Sequence, residues 1–251
     1  MNRFFIEADK IKDSYGEIVG EDAIHILRVL RLDVGDLIEI CDGAGRDYPA
    51  TIIETNKGWV KVKLGEGSPS KGEPLSKVTL YQGIPKSTKM DLVIQKCVEL
   101  GVYEIVPLET ARTITDLSEP KKANKKVARW QKIAHEAAKQ SKRGIIPSVD
   151  MPMTFSQAIK TASHSTKIIF WEGEREVDLK KYLDEKNINH HNNEKDIGII
   201  IGPEGGLNDQ EVALAKEYGW DTITLGPRIL RTETAGMAAL AAIMFYTEEM
   251  K

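Results

Sequence analysis

Only two cysteines, Cys41 and Cys97, occur in the 251 residues, and neither falls in a C-x-x-C or Cys/His spacing. Their scarcity argues against a disulfide framework or a zinc site and fits a reducing compartment. Long apolar runs are missing too. The longest near-apolar stretch, residues 235–246, is about twelve residues where a membrane span needs ~20. At the start, Glu7 arrives too early in MNRFFIE for a secretory signal. These absences predict a soluble, cytoplasmic protein. Positive charge is not in excess: the formal net charge is −3 and the pI near 6.0. This argues against a protein that coats nucleic acid by bulk charge and does not exclude a local basic patch. Neither G-x-G-x-x-G nor a glycine loop ending in Lys-Ser/Thr is present, so the sequence predicts neither of the common dinucleotide and Walker-type phosphate sites.

What is present reads as an ordinary globular chain of one large or two modest domains. Residues 1–64 form a β-rich unit, with strands expected at 3–6, 36–41, 48–54 and 59–64 and a hairpin turn at Asp42-Gly43-Ala44-Gly45. Residues 21–30 break this pattern, because Ala23, Ile26, Leu27 and Leu30 follow helical spacing. Residues 65–74 alternate Gly, Ser, Pro and Lys and read as a linker. Beyond it, short apolar strands at 77–82, 104–108, 167–171, 197–201 and 222–225 alternate with helices. That alternation predicts a mainly parallel sheet covered on both faces. Asn208 with Glu211 marks a capping box, and Gly219 a helix end.

Residues 121–143 carry nine Lys or Arg against one acid, Glu136, while Trp130, Ile133, Ala134, Ala137 and Ala138 mark one helical face. Arg129, Lys132, Lys139 and Arg143 fall on other faces, either as a solvated surface or as a phosphate-contacting patch. His190 and His191 lie in the polar segment 187–195 without a third ligand at a matching spacing, so a surface loop and no metal is expected.

The most informative region is the C-terminal fifth. There IIIGPEGGLN (residues 199–208) and LGPRILRTETA (residues 225–235) each follow an apolar strand and precede a helical stretch. Glycine lets backbone approach closely and proline fixes φ, so either loop alone could be a simple turn. Two such loops present their backbone groups to something lying across the strand ends, where open α/β sheets bind ligands.

These two loops resemble the closing motifs of SPOUT methyltransferases, and more closely those of the ribosomal RNA small subunit methyltransferase E family, which methylates the ring N3 of a uridine. The likeness extends to the β-rich start, KCVELG (residues 96–101), and RWQKIAHEAAKQSKR (residues 129–143), in which Glu136, Gln140 and Arg143 match recurring family residues. It implies a PUA-like RNA-binding β-barrel at 1–72 and an α/β SPOUT methyltransferase domain at 73–251. No sequence pattern reveals the C-terminal trefoil knot, and true knots are rare; the resemblance alone implies it.

S-adenosylmethionine would then lie against Gly202, Pro203, Glu204, Gly205, Leu225, Gly226, Leu230, Arg231, Thr232, Thr234 and Ala235. Arg143, Glu204 and Arg231 are the candidate catalytic residues, as base, polariser or base-edge clamp. Arg28 and Arg31, in a His-x-x-x-Val-Leu-Arg segment, would join Arg129, Lys132, Lys139 and Arg143 on RNA. The resemblance also implies a homodimer with shared sites, since the helix at 235–246 is small and apolar almost all round. The competing readings are a methyltransferase of another RNA, a non-catalytic RNA-binding protein, and a small-molecule α/β enzyme.

Overall fold

The computed structural model describes residues 2–117, 119–188 and 195–250, so the histidine pair His190–His191 lies outside the described residues. The chain divides into two compact units, residues 1–73 with 138–146, and residues 74–137 with 147–251.

In the first unit, strands β1 (Arg3–Phe5), β2 (Tyr15–Val19), β3 (Leu37–Cys41), β4 (Arg46–Asn56), β5 (Trp59–Leu64) and β6 (Ser68–Pro69) form a six-stranded sheet. Its main path runs β1-β3-β4-β5-β2, and β6 pairs with β4. Only the β1–β3 pairing is parallel. Alternation does what the sequence predicts: Ile38, Ile40, Ile52, Val60 and Val62 point into one core with Phe4, Ile18 and Ile26.

Three expectations change here. Strand β2 was not anticipated, because Gly16 occupies one of its two buried positions and weakens the apolar alternation. The expected single helix at 21–30 is instead α1 (Gly20–Ile24) followed by a π-helical turn, His25–Val29, closed by Leu30 N–H donating to His25 O at 3.0 Å. Finally, 65–74 is no free linker, since β6 lies within it and the Glu73 carboxylate is tied down by Arg143.

The second unit contains strands β7 (Lys77–Gly83), β8 (Glu104–Glu109), β9 (Ser148–Val149), β10 (Met153–Thr154), β11 (Thr166–Phe170), β12 (Asp196–Ile201) and β13 (Asp221–Ile223). They form one sheet, ordered β10-β8-β7-β12-β11-β13 with β9 beside β8, and every pairing is parallel. Its helices are α2 (Lys89–Glu99), α3 (Pro120–Gln140), α4 (Phe155–Thr161), α5 (Leu179–Glu185), α6 (Asp209–Glu217) and α7 (Thr232–Tyr246). The last residues of α3 cluster with the first unit.

The central strands are apolar on both faces because both are covered. Tyr81, Ile169 and Ile200 pack among Phe155, Ile159, Val212 and Trp220 of the α4–α6 side. Leu80 faces the other way, toward Gly236 of α7, which packs beside α2. Parallel pairing brings the C-terminal ends of β7, β8, β11, β12 and β13 to one edge of the sheet. Helices α4 and α5 are seven residues each, two turns whose periodicity is too short to read from sequence.

Candidate functional site

At that edge the loops after β11, β12 and β13 and the first turn of α7 surround a cavity of about 370 Å³. Its construction begins beneath the floor. Gly83 ends β7 directly under the 202–208 loop, where an added Cβ would lie 2.5 Å from the Pro203 nitrogen. Buried Gln82 donates through Nε2 to Gly83 O at 3.0 Å and to Thr232 Oγ1 at 2.9 Å. Thr232, the first residue of α7, donates in turn to Gly202 O at 2.6 Å. One buried hydroxyl therefore fastens the start of the last helix to the opposite Gly-Pro loop. Thr224 Oγ1 accepts the Gly226 N–H at 3.1 Å and shapes the second loop, where Gly226 sits at φ +97°. A Cβ there would meet nothing within 4 Å, because the space it would enter is open. This is a left-handed conformation that any other residue adopts with strain.

The electrostatics centre on Glu204. Its carboxylate accepts the Lys86 N–H at 3.1 Å and an ion pair from Lys89 Nζ at 3.0 Å, and the same ammonium lies 3.3 Å from Glu233 Oε2. Burial of Glu204 opposes ionisation, but its own backbone N–H, Lys89 and the Lys86 N–H outweigh that and hold it below the usual carboxylate range. Such a group is a good anion and a poor base. The loop after β11 is held by Glu174, which accepts the N–H groups of Glu176 and Arg175 at 2.9 and 3.0 Å and the Thr222 hydroxyl at 2.8 Å.

Of the residues singled out from sequence, Gly202, Pro203, Glu204, Leu225, Gly226, Leu230, Arg231, Thr232 and Ala235 line this cavity. Gly205 and Thr234 stand outside its wall. Gly205 O accepts from Arg112 Nη1 at 2.6 Å, and Thr234 is exposed on α7. The sequence reading missed Lys89, Trp171, Glu172, Arg175 and Thr224, all in the wall. Four of these follow β11 or β13 directly, so the rule that ligands sit at carboxyl ends of parallel strands was the available signal. Lys89 had no such signal.

The basic candidates fare differently. Arg28, Arg31 and Lys132 are exposed. Arg129 is ion-paired to Asp91 within the second unit. Lys139 is ion-paired to Asp22 and stands 4.7 Å over the Phe4 ring, within the first unit. Arg143 is 3% exposed, its Nε and Nη2 each 2.9 Å from the Glu73 carboxylate. Arg143 O also accepts from Arg3 at 2.9 Å. Arg129, Lys139 and Arg143 are thus engaged within the protein, for a reason helical periodicity cannot supply: their acids lie far away in the chain. Among the described residues no group of three or more His, Cys, Asp or Glu could hold a metal ion, and no helix is long and apolar enough to cross a membrane.

Comparison with known proteins places this geometry. The family model described as an RNA methyltransferase domain matches residues 71–244, and that of the RNA methyltransferase PUA domain matches residues 18–65. The ribosomal RNA small subunit methyltransferase E of Bacillus subtilis strain 168 is 34% identical, over 100% of this chain and 99% of its own length. A putative methyltransferase from Legionella pneumophila, solved with bound SAM, is 30% identical with a TM-score of 0.84, over 97% of both chains. The ribosomal RNA small subunit methyltransferase E of Neisseria gonorrhoeae, bound to S-adenosyl methionine, is 31% identical with a TM-score of 0.82, over 98% of this chain and 97% of its own. With both family models matched and the likeness running from end to end, the chain belongs to the ribosomal RNA small subunit methyltransferase E family.

Proposed function

We propose that this protein transfers a methyl group from S-adenosylmethionine to the ring N3 of a uridine in small-subunit ribosomal RNA. The observation that carries the reading is the cavity lined by both Gly-Pro loops, which Thr232 ties together at its base. The residues present fit the cofactor. Gly226 leaves open the space a Cβ would fill, Leu225 and Leu230 offer apolar wall to an adenine, and Glu172 and Glu204 suit a cationic group. When bound, S-adenosylmethionine supplies a methyl on a sulfonium that departs as a neutral thioether.

The chain's own work is to orient and to manage a proton. Holding the two reactants in line supplies most of the acceleration. Arg231 is exposed and lines the cavity, and we assign it to the carbonyl edge of the target uracil. A guanidinium there stabilises the negative charge that develops as N3 loses its proton. Glu204, ion-paired with Lys89 at 3.0 Å, serves to bind and orient, and the N3 proton passes to solvent. Arg143 acts only if its pair with Glu73 opens.

The rest of the reading follows from the same family. It includes a cytoplasmic homodimer and a C-terminal trefoil knot, testable by a backbone trace closed through its termini. The decisive experiment pairs calorimetric titration of S-adenosylmethionine with methyl transfer to naked ribosomal RNA and to assembled small subunits. Gly226→Ala should weaken cofactor binding about tenfold or more, since φ +97° is strained for any side chain and the loop must shift to relieve it. Methylation at a position other than uridine N3 would overturn the assignment of the target atom, and unaltered affinity in Gly226→Ala would move the cofactor elsewhere.

A further inference from the structure

The rim of the cavity carries a surface that the cofactor does not explain. At the tip of the loop after β13, Ile229 is 80% exposed, with the exposed side chains of Arg228 and Arg231 close by in the same loop. Leu225 and Leu230 of this loop are partly buried, while Ile229, which also borders the cavity, stands open to solvent. Arg175, also exposed, reaches the same cavity from the loop after β11. None of the three arginines forms an ion pair among the described residues.

A single exposed isoleucine is unremarkable on a protein surface. One standing among three free guanidiniums, at the mouth of a cavity, on a chain of net charge −3, is a different matter. Cations without counter-ions favour a polyanion, and an apolar tip among them favours an apolar partner within that polyanion. RNA offers both, as phosphates and as base faces. A base buried in a stack cannot bring its ring nitrogen into a cavity, so the target must be extruded and the gap it leaves must be filled or closed. Apolar side chains serve as such wedges between base steps, and β-branching makes isoleucine stiff enough for the purpose.

Resting on the RNA methyltransferase reading above, we propose that the loop after β13 and Arg175 form the seat of the target nucleotide. Arg175 and Arg228 hold the phosphates flanking it, and Ile229 occupies the place in the stack that the extruded base vacates. Arg231, nearer to α7, is left free for the edge of the base itself.

Two variants test the seat. The first is Ile229→Ala, assayed on a structured RNA hairpin and on an unstructured oligonucleotide carrying the same target. A wedge matters only where a stack must be opened. The variant should therefore lose about tenfold in kcat/KM on the hairpin and stay within about twofold on the oligonucleotide. Equal loss on both, or none on either, overturns the wedge. The second is Arg175→Gln with Arg228→Gln, titrated with RNA at several salt concentrations. Loss of two phosphate contacts should flatten the salt slope by about 1.4 to 1.8, at ~0.7–0.9 per contact. An unaltered slope removes the phosphate role. Sedimentation of each variant covers the competing occupant: a changed oligomeric state would make this loop a subunit contact and overturn the proposal. Should the wild type bind RNA yet transfer no methyl group, the methyltransferase reading fails, while the salt slopes still decide the seat.

Discussion

At the scale of single residues, the site is built from atoms that chain neighbours alone do not bring together. Thr232 looks in sequence like any helix-starting threonine. Its hydroxyl matters because Gln82 and Gly202, 150 and 30 residues away, converge on it. Glu204 likewise is held low by its own backbone N–H and by two groups far off in the chain, Lys89 at the start of α2 and the Lys86 N–H in the loop after β7. That character has a pH signature. Its pKa is lowered in the folded state, so its contribution to stability is present above the unfolded value, near 4.3, and is lost as the pH falls through the folded value. Glu204→Gln should accordingly lower Tm at pH 7, by a few degrees at most for so exposed a pair, and the gap to wild type should close in acid. Calorimetric melts between pH 3 and 7 check this, and a gap independent of pH would mean that the charge is not what stabilises the loop.

At the scale of elements, helical periodicity in α3 correctly places Trp130, Ala134, Ala137 and Ala138 in the interior, while Ile133 is only partly covered. Periodicity is local, however, and ion pairs need not be. Asp91 and Asp22, which engage Arg129 and Lys139, lie 38 and 117 residues away. Reversing Arg129, Lys132 and Lys139 together would therefore mix stability with any RNA effect. Lys139→Glu alone should cost about 1–2 kcal/mol and lower the melting temperature by several degrees, because it faces Asp22 with a like charge and removes the contact over Phe4. Lys132→Glu, on the solvent side, should stay within about 0.5 kcal/mol of wild type. Equal melting temperatures for the two variants would contradict the distinction. Exposed Lys132 is thus the cleaner probe of RNA contact on this helix.

At the scale of the whole molecule, the open question is what covers the outer face of α7. The helix is apolar nearly all round, which requires burial on more than one side. Ala239, at 0% exposed, faces its own sheet and α2, so a charge there would test the core and not an interface. The outward face instead carries exposed Ala242 and Phe245, the latter 77% exposed, with Ala238 and Ala241 partly covered beside them. Ala242→Glu should dissociate a homodimer to monomer in sedimentation equilibrium at low micromolar protein while leaving the melting of the monomer unit intact. A wild-type monomer that still transfers methyl groups would remove the dimer from the proposed function.

The sequence by itself determined the parallel sheet, the two loops and their resemblance to one enzyme family. Each of these rests on local signals, namely apolar runs, period-2 and period-3.6 patterns, and Gly-Pro pairs beside strands. Tertiary structure decided which loop residues face the cavity, that the loop after β11 and Lys89 complete its wall, and that Gly205 and Thr234 do not line it. It also decided that Arg143 is engaged by Glu73 within the first unit. The reason is physical: a side chain's direction at a loop, and the partner that neutralises it, depend on contacts across tens to hundreds of residues, and no pattern of neighbouring letters records them.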